Sequence, residues 1–152
     1  MVRVFCSLFL LALSVALQAQ PIWSDIAERD ILPAGERLII PQVYRTVSFD
    51  LNALQSLLND APERFTAAAN KSDLPVLTLP MPDGRTASFR LNESPVMAPA
   101  LQEKYPETRC YTGYGIDDPT ALLKCDLTPW GFHAMVLSAT QHPFYRPVQP
   151  RR

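Results

Sequence analysis

Tyr111-Thr112-Gly113-Tyr114-Gly115-Ile116-Asp117-Asp118-Pro119, followed by Thr128-Pro129-Trp130-Gly131-Phe132-His133-Ala134-Met135, decides how the last third of this chain is read. Both stretches set apolar-rich runs beside turn residues. Asp117-Asp118-Pro119, Thr128-Pro129-Trp130-Gly131 and Thr140-Gln141-His142-Pro143 separate four runs at 108–114, 121–127, 132–138 and 144–148. Runs of that length bounded by Pro, Gly and Asp read as strands. Short links between successive strands join them antiparallel, as a meander.

Working outward, 74–79 and 86–91 flank Pro82-Asp83-Gly84-Arg85, and proline followed by Asp-Gly reads as a hairpin turn. Pro99 to Tyr105 has proline at a first helical position and Pro106 just past the end, which predicts one short helix. Leu51, Leu54, Leu57 and Leu58 lie at helical spacing after Asp50, a residue suited to capping, and Asn59-Asp60-Ala61-Pro62 ends the run. A helix this short needs a sheet or another helix to lie on. Val43 to Phe49 alternates as a strand does, while 63–73 carries only weak signal. The expected fold class is α+β: an antiparallel β-sheet meander with one or two short helices packed on one face.

The N-terminus reads as a secretory signal over residues 1–19. Arg3 precedes an almost unbroken apolar run from Val4 to Leu17, and Ser14, Ala16 and Ala19 offer small residues for cleavage. That run is short of the ~20 residues of a bilayer span. Residues 20–42 form a lead-in segment with a helical turn expected at 24–29, 43–148 the folded domain, and 149–152 a tail. The expected location is secreted or periplasmic, with no membrane contact after signal cleavage. Removing the signal leaves roughly 130 residues, enough for one core. The formal net charge of -1 becomes -2 when Arg3 leaves, and no basic stripe tracks phosphates, so nucleic acid is not an expected partner.

Cys6 falls in the signal, which leaves Cys110 and Cys125 in adjacent predicted strands. A loop of Asp117-Asp118 alone would set them directly opposite. Pro119 lacks the N–H for a closing ladder bond and so favours a longer loop, a shifted register and a diagonal placement. A bridge would stabilise by about 3 kcal/mol; two unpaired thiols is the alternative. No residue set reads as a reactive centre. His133 and His142 are the two histidines, there is no H-E-x-x-H helix, and His133 sits within an alternating strand. Asp117 and Asp118 precede proline and read as turn caps rather than calcium ligands. No nucleophile elbow or phosphate loop is present. No catalytic, metal-binding or cofactor residue is expected.

Glu93-Ser94-Pro95-Val96-Met97, the Tyr105-Pro106-Glu107 lead-in, Gly113-Tyr114-Gly115-Ile116-Asp117-Asp118-Pro119 and Gly131-Phe132-His133-Ala134-Met135 together resemble the N-terminal pro-region of secreted, Bacteroidetes-type reprolysin-like zinc metalloproteases. The Pro82-Asp83-Gly84 hairpin and the opening at 44–58 fit as well, so the likeness covers most of the mature chain in order. The resemblance implies a non-catalytic module, a fragment or remnant of a protease precursor. Such a module shields the cleft of a zinc metalloprotease domain, in cis or in trans, and assists its folding. The family's zinc motif belongs to the domain that would begin where this chain ends at Arg152, so no catalytic or zinc-binding residue carries over. Cys110 and Cys125 are not part of that pattern. A free-standing secreted binding or adhesion domain is the alternative reading.

Overall fold

The computed structural model describes residues 21–31, 42–70, 73–139 and 143–145. The signal segment 1–19, residues 20 and 32–41 of the lead-in segment, His142 and the tail 149–152 fall outside these residues. The described chain is α+β, mostly antiparallel sheet with two short helices. The first elements are β1 (Trp23–Asp25), a 3-10 turn at Glu28–Asp30, β2 (Val47–Phe49) and α1 (Leu51–Asn59). A second 3-10 turn at Ala67–Asn70 leads to β3 (Val76–Pro80) and β4 (Thr86–Glu93). Then come α2 (Pro99–Lys104), β5 (Arg109–Gly115), β6 (Leu122–Thr128), β7 (Gly131–Leu137) and β8 (Phe144–Tyr145). β1 and β2 form a small antiparallel pair, and β3 to β8 form one six-stranded sheet in sequence order.

The sheet curls. Tyr145 on β8 donates its hydroxyl to the Pro80 carbonyl at the end of β3 over 3.0 Å, tying the last strand to the first. The face inside the curl carries Leu77, Leu79, Phe89, Leu91, Tyr111, Leu123, Cys125, Leu127, Phe132, Ala134 and Val136, all buried. Leu54 and Leu58 of α1 join this cluster, and Phe49 and Trp23 pack against it. Trp23, Phe49 and Phe132 meet as a triangle of tilted rings with centroids 5.6, 5.6 and 6.3 Å apart, within the range of favourable aromatic contact.

Local chemistry explains each boundary. Asp50 accepts from Asn52 N at 2.8 Å and Ala53 N at 3.0 Å, which gives α1 the cap that the sequence promised. The far end of α1 is held by Arg109, which donates to the Asn59 side-chain oxygen at 2.7 Å while it pairs with Glu93. In the β3–β4 turn Gly84 adopts φ +87°, a conformation that favours glycine, and Asp83 accepts from Arg85 N at 3.0 Å. Beyond the reach of β3, Pro62 and Arg64 continue the ladder on β4 through bonds to Glu93 N and O of 2.9 and 2.7 Å.

Some expectations are revised. The helical turn expected at 24–29 is instead β1 running into a 3-10 turn, because Trp23 to Asp25 find ladder partners in β2. The strand expected over 43–49 is regular only at 47–49. α2 starts at its proline as expected but buries no side chain. The bridge between Cys110 and Cys125 does not form; both thiols are free. Gly115 N bonds to Ala121 O at 3.0 Å, so the loop is longer than Asp117-Asp118. Cys110 then stands opposite Asp126, and Cys125 opposite Tyr111. That is a slip of one residue, and one residue turns a side chain to the other face of a sheet. The two sulfurs therefore leave the sheet on opposite sides, one in the core and one outside.

Candidate functional site

Because side chains alternate along a strand, the register that builds the core also fixes which residues face out. Two cross-strand rows dominate the outer face. One runs Val76, Arg90, Tyr114, Leu122, Leu137, and the next runs Asn92, Thr112, Lys124, Met135, Phe144. A third, shorter row holds Cys110, Asp126 and His133. Over the last two rows lies an open groove of ≈ 400 Å³, lined by Ser94, Val96, Cys110, Thr112, Lys124, Asp126, His133, Met135 and Phe144 among others.

The polar groups of the groove are mostly satisfied by one another. Lys124 donates from Nζ to the buried Thr112 hydroxyl at 2.7 Å. His133 Nδ1 lies 3.1 Å from Asp126 Oδ2. Asn92, in the same row as Thr112 and Lys124, keeps a buried Nδ2 with no hydrogen-bond partner among the described residues. Around these groups stand apolar side chains left in water, with Val96 76% and Phe144 69% exposed.

This arrangement is poorly suited to nucleophilic chemistry. A reactive thiol needs a base or a cation beside it to favour thiolate. In the row of Cys110, the carboxylate of Asp126 stands between the thiol and the imidazole. Burial first, then the Asp126 and Glu93 charges, push the Cys110 thiol above its usual value. Burial drives Cys125 further, up to about 12. Among the described residues no group of three or more His, Cys, Asp or Glu is placed to hold a metal ion. What the groove offers is a mixed polar and apolar surface, suited to contact.

The residues singled out from the sequence separate into two places. Gly113, Gly115, Ile116, Asp117, Asp118 and Pro119 form the end of β5 and its loop. A Cβ on Gly113 would come within 2.9 Å of Phe89 Cβ, and one on Gly115 within 2.1 Å of the Asp118 carbonyl oxygen, so close approach explains both glycines. Ile116 N donates to Ser88 O at 2.8 Å, and Asp117 Oδ2 accepts from Ser88 N at 3.1 Å, which ties the loop to β4. Asp118 accepts from the Thr120 N–H at 2.9 Å and hydroxyl at 2.6 Å, and these bonds hold its carboxyl below the usual range. Both aspartates thus serve the loop.

At the other end of the strands, Ser94, Val96, His133, Ala134 and Met135 line the groove beside Cys110. Glu93 is tied to Arg109, Pro95 is exposed and Met97 is half-buried. Gly131 turns the β6–β7 hairpin with φ +115°, and Phe132 belongs to the core. Sequence reasoning missed Arg90, Thr112, Tyr114, Lys124 and Asp126. The alternation of Leu122, Lys124 and Asp126 with Leu123, Cys125 and Leu127 was the signal that could have found the last two.

Comparison of the chain with models of protein families, with curated proteins and with solved structures finds no match to any of them.

Proposed function

We propose that the chain is an exported, non-catalytic recognition module of the pro-region kind, a fragment or remnant of a zinc metalloprotease precursor. It covers the cleft of the protease domain and assists the folding of that domain by surface complementarity. The observation that carries this reading is the inequality of the two sheet faces. One is sealed by α1, Trp23 and Phe49, while the other presents exposed apolar side chains around a groove whose polar groups are mostly, though not all, paired among themselves. The residues that carry the resemblance to reprolysin-like pro-regions support it differently. Asp117, Asp118 and Glu93 spend their charges on loop and strand contacts, as scaffold residues do.

The test is to mix the purified mature chain with the catalytic domain of a secreted reprolysin-like zinc protease. Inhibition at micromolar concentration, together with faster recovery of activity when the denatured protease refolds in its presence, is the expected result. No complex and no effect on refolding would refute the reading. In that event, binding to another exported surface would instead support a free-standing binding or adhesion domain, for which the same outer face would serve.

A further inference from the structure

The cations of the described chain divide sharply by location. Arg29, Arg45, Arg85 and Arg109 each have a carboxylate within 4.0 Å, respectively Asp30, Asp25, Asp83 and Glu93. Arg64 lies over the Phe65 ring and Lys104 over the Tyr105 ring. The two left without a carboxylate or a ring, Arg90 and Lys124, are both exposed and both on the outer face of the sheet. Lys124 has only the Thr112 hydroxyl, and the acid of that face, Asp126, is already engaged by His133. The three outer rows therefore carry two cations against the one carboxylate of Asp126, a formal +1 in a chain of net charge -1.

Tyr114, 43% exposed, stands between these cations on the intervening strand; Val76 on β3 and Leu137 on β7 extend the apolar surface to either side, and Phe144 on β8 adds to it in the neighbouring row. We propose that this face docks an acidic, apolar protein surface, with Arg90 and Lys124 receiving two carboxylates set on either side of an apolar residue that covers Tyr114. The proposal rests on the reading of the chain as a recognition module and supplies its contact face and the chemistry of its partner.

Register fixes the spacing. β4 and β6 lie two strand separations apart, and the Arg90 and Lys124 rows differ by one side-chain repeat, so the two Cα atoms are about 12 Å apart. In an extended partner segment, residues i and i+4 share a face and stand about 13 Å apart, with i+2 between them. A Glu-x-Val-x-Glu strand matches that pattern. Two cations interleaved with aromatic and aliphatic side chains do not form the continuous basic track that a polyphosphate or an anionic lipid surface recruits.

The test uses the isotope-labelled mature chain and a blocked peptide, Thr-Glu-Thr-Val-Thr-Glu-Thr, with a Gln-for-Glu control peptide. Backbone amide shifts clustered at Arg90, Tyr114, Lys124 and Leu137 are expected. Affinity should fall at least tenfold with the control peptide and in the Arg90→Glu/Lys124→Glu variant. The milder Arg90→Gln/Lys124→Gln variant serves the same purpose and should keep the melting temperature of the parent. Shifts located elsewhere, none at millimolar peptide, or equal binding of both peptides would overturn the proposal. So would tighter binding of DNA or anionic vesicles at the same residues.

The protease domain separates the two readings. If it binds parent and charge-reversed variant equally, the docking face is wrong and the pro-region reading stands. If it binds neither while the peptide binds the parent at these residues, the docking face stands and the pro-region reading falls.

Discussion

The opposite orientation of the two thiols makes a quantitative prediction about their chemistry. Cys110 is half-buried on the outer face, whereas Cys125 is 4% exposed within the core. Its pKa is pushed up to about 12, first by burial. A free thiol of pKa about 8.5 is roughly one quarter thiolate at pH 8, and one of pKa 12 is about 1 part in 10⁴. Since the thiolate is the nucleophile, Cys125 should alkylate about a thousandfold more slowly than a free thiol, before any steric protection is counted. Cys110 is slowed too, by burial and by Asp126 and Glu93, but reagent can reach it.

Iodoacetamide labelling at pH 8 with peptide mapping by mass spectrometry measures both rates. The folded chain from residue 20 onward, which lacks Cys6, should take up one label, at Cys110, and a second only in denaturant. Mild oxidation should yield no internal bridge, since joining sulfurs on opposite faces would require the β5–β6 register to slip. Equal labelling of the two residues, or a bridge formed without loss of the native spectrum, would refute the register and the assignment of faces with it.

Other perturbations report on separate parts of the fold. Gly113→Ala places a Cβ within 2.9 Å of Phe89 Cβ and 3.0 Å of Leu123 Cβ, atoms fixed to neighbouring strands. Overpacking of this kind costs about 1–3 kcal/mol, and urea unfolding should show it; an unchanged midpoint would argue against the close strand packing. Leu58→Ala on α1 removes a side chain that is 1% exposed and should destabilise by about 2–5 kcal/mol in the same assay. Stability should also fall with alkali. Above pH ~9 the unfolded chain releases the Cys125 proton that the native state retains up to about 12, so the native state binds more protons and the unfolding free energy declines with rising pH. The slope approaches about 1.4 kcal/mol per pH unit, and Cys125→Ala should remove that share of it.

The sequence was legible where local chemistry and period agreed. The four-leucine stripe with Asp50 before it, the Asp83-Gly84 turn, and the turn residues that divide 108–138 into three runs each announced an element that is present. It failed where pairing partners lie far along the chain. Trp23 to Asp25 looked aperiodic because three residues are too few to show a period, and they become a strand only through Val47 to Phe49. Register was the costlier failure. Pro119 pointed correctly to a loop longer than Asp117-Asp118 and a shifted register, but the shift is one residue and not a whole pair, and one residue decides which side chains face the core. The outer face depends on that same count. Arg90, Tyr114 and Lys124 are scattered over 35 positions and become neighbours only once three strands are aligned.

One face of the curled sheet is sealed and the other is bare, and the proposed function has a partner cover the bare one. Hydroxyl-radical footprinting of the mature chain, alone and with a reprolysin-like protease domain, tests it most directly. The free chain should oxidise readily at Tyr114, Met135 and Phe144 and slowly at Phe89 and Tyr111. Adding the partner should protect the first three while Phe65, 88% exposed and outside the sheet, continues to react. Rapid oxidation of Phe89 and Tyr111 in the free chain, or a complex that leaves Tyr114, Met135 and Phe144 as reactive as before, would contradict it.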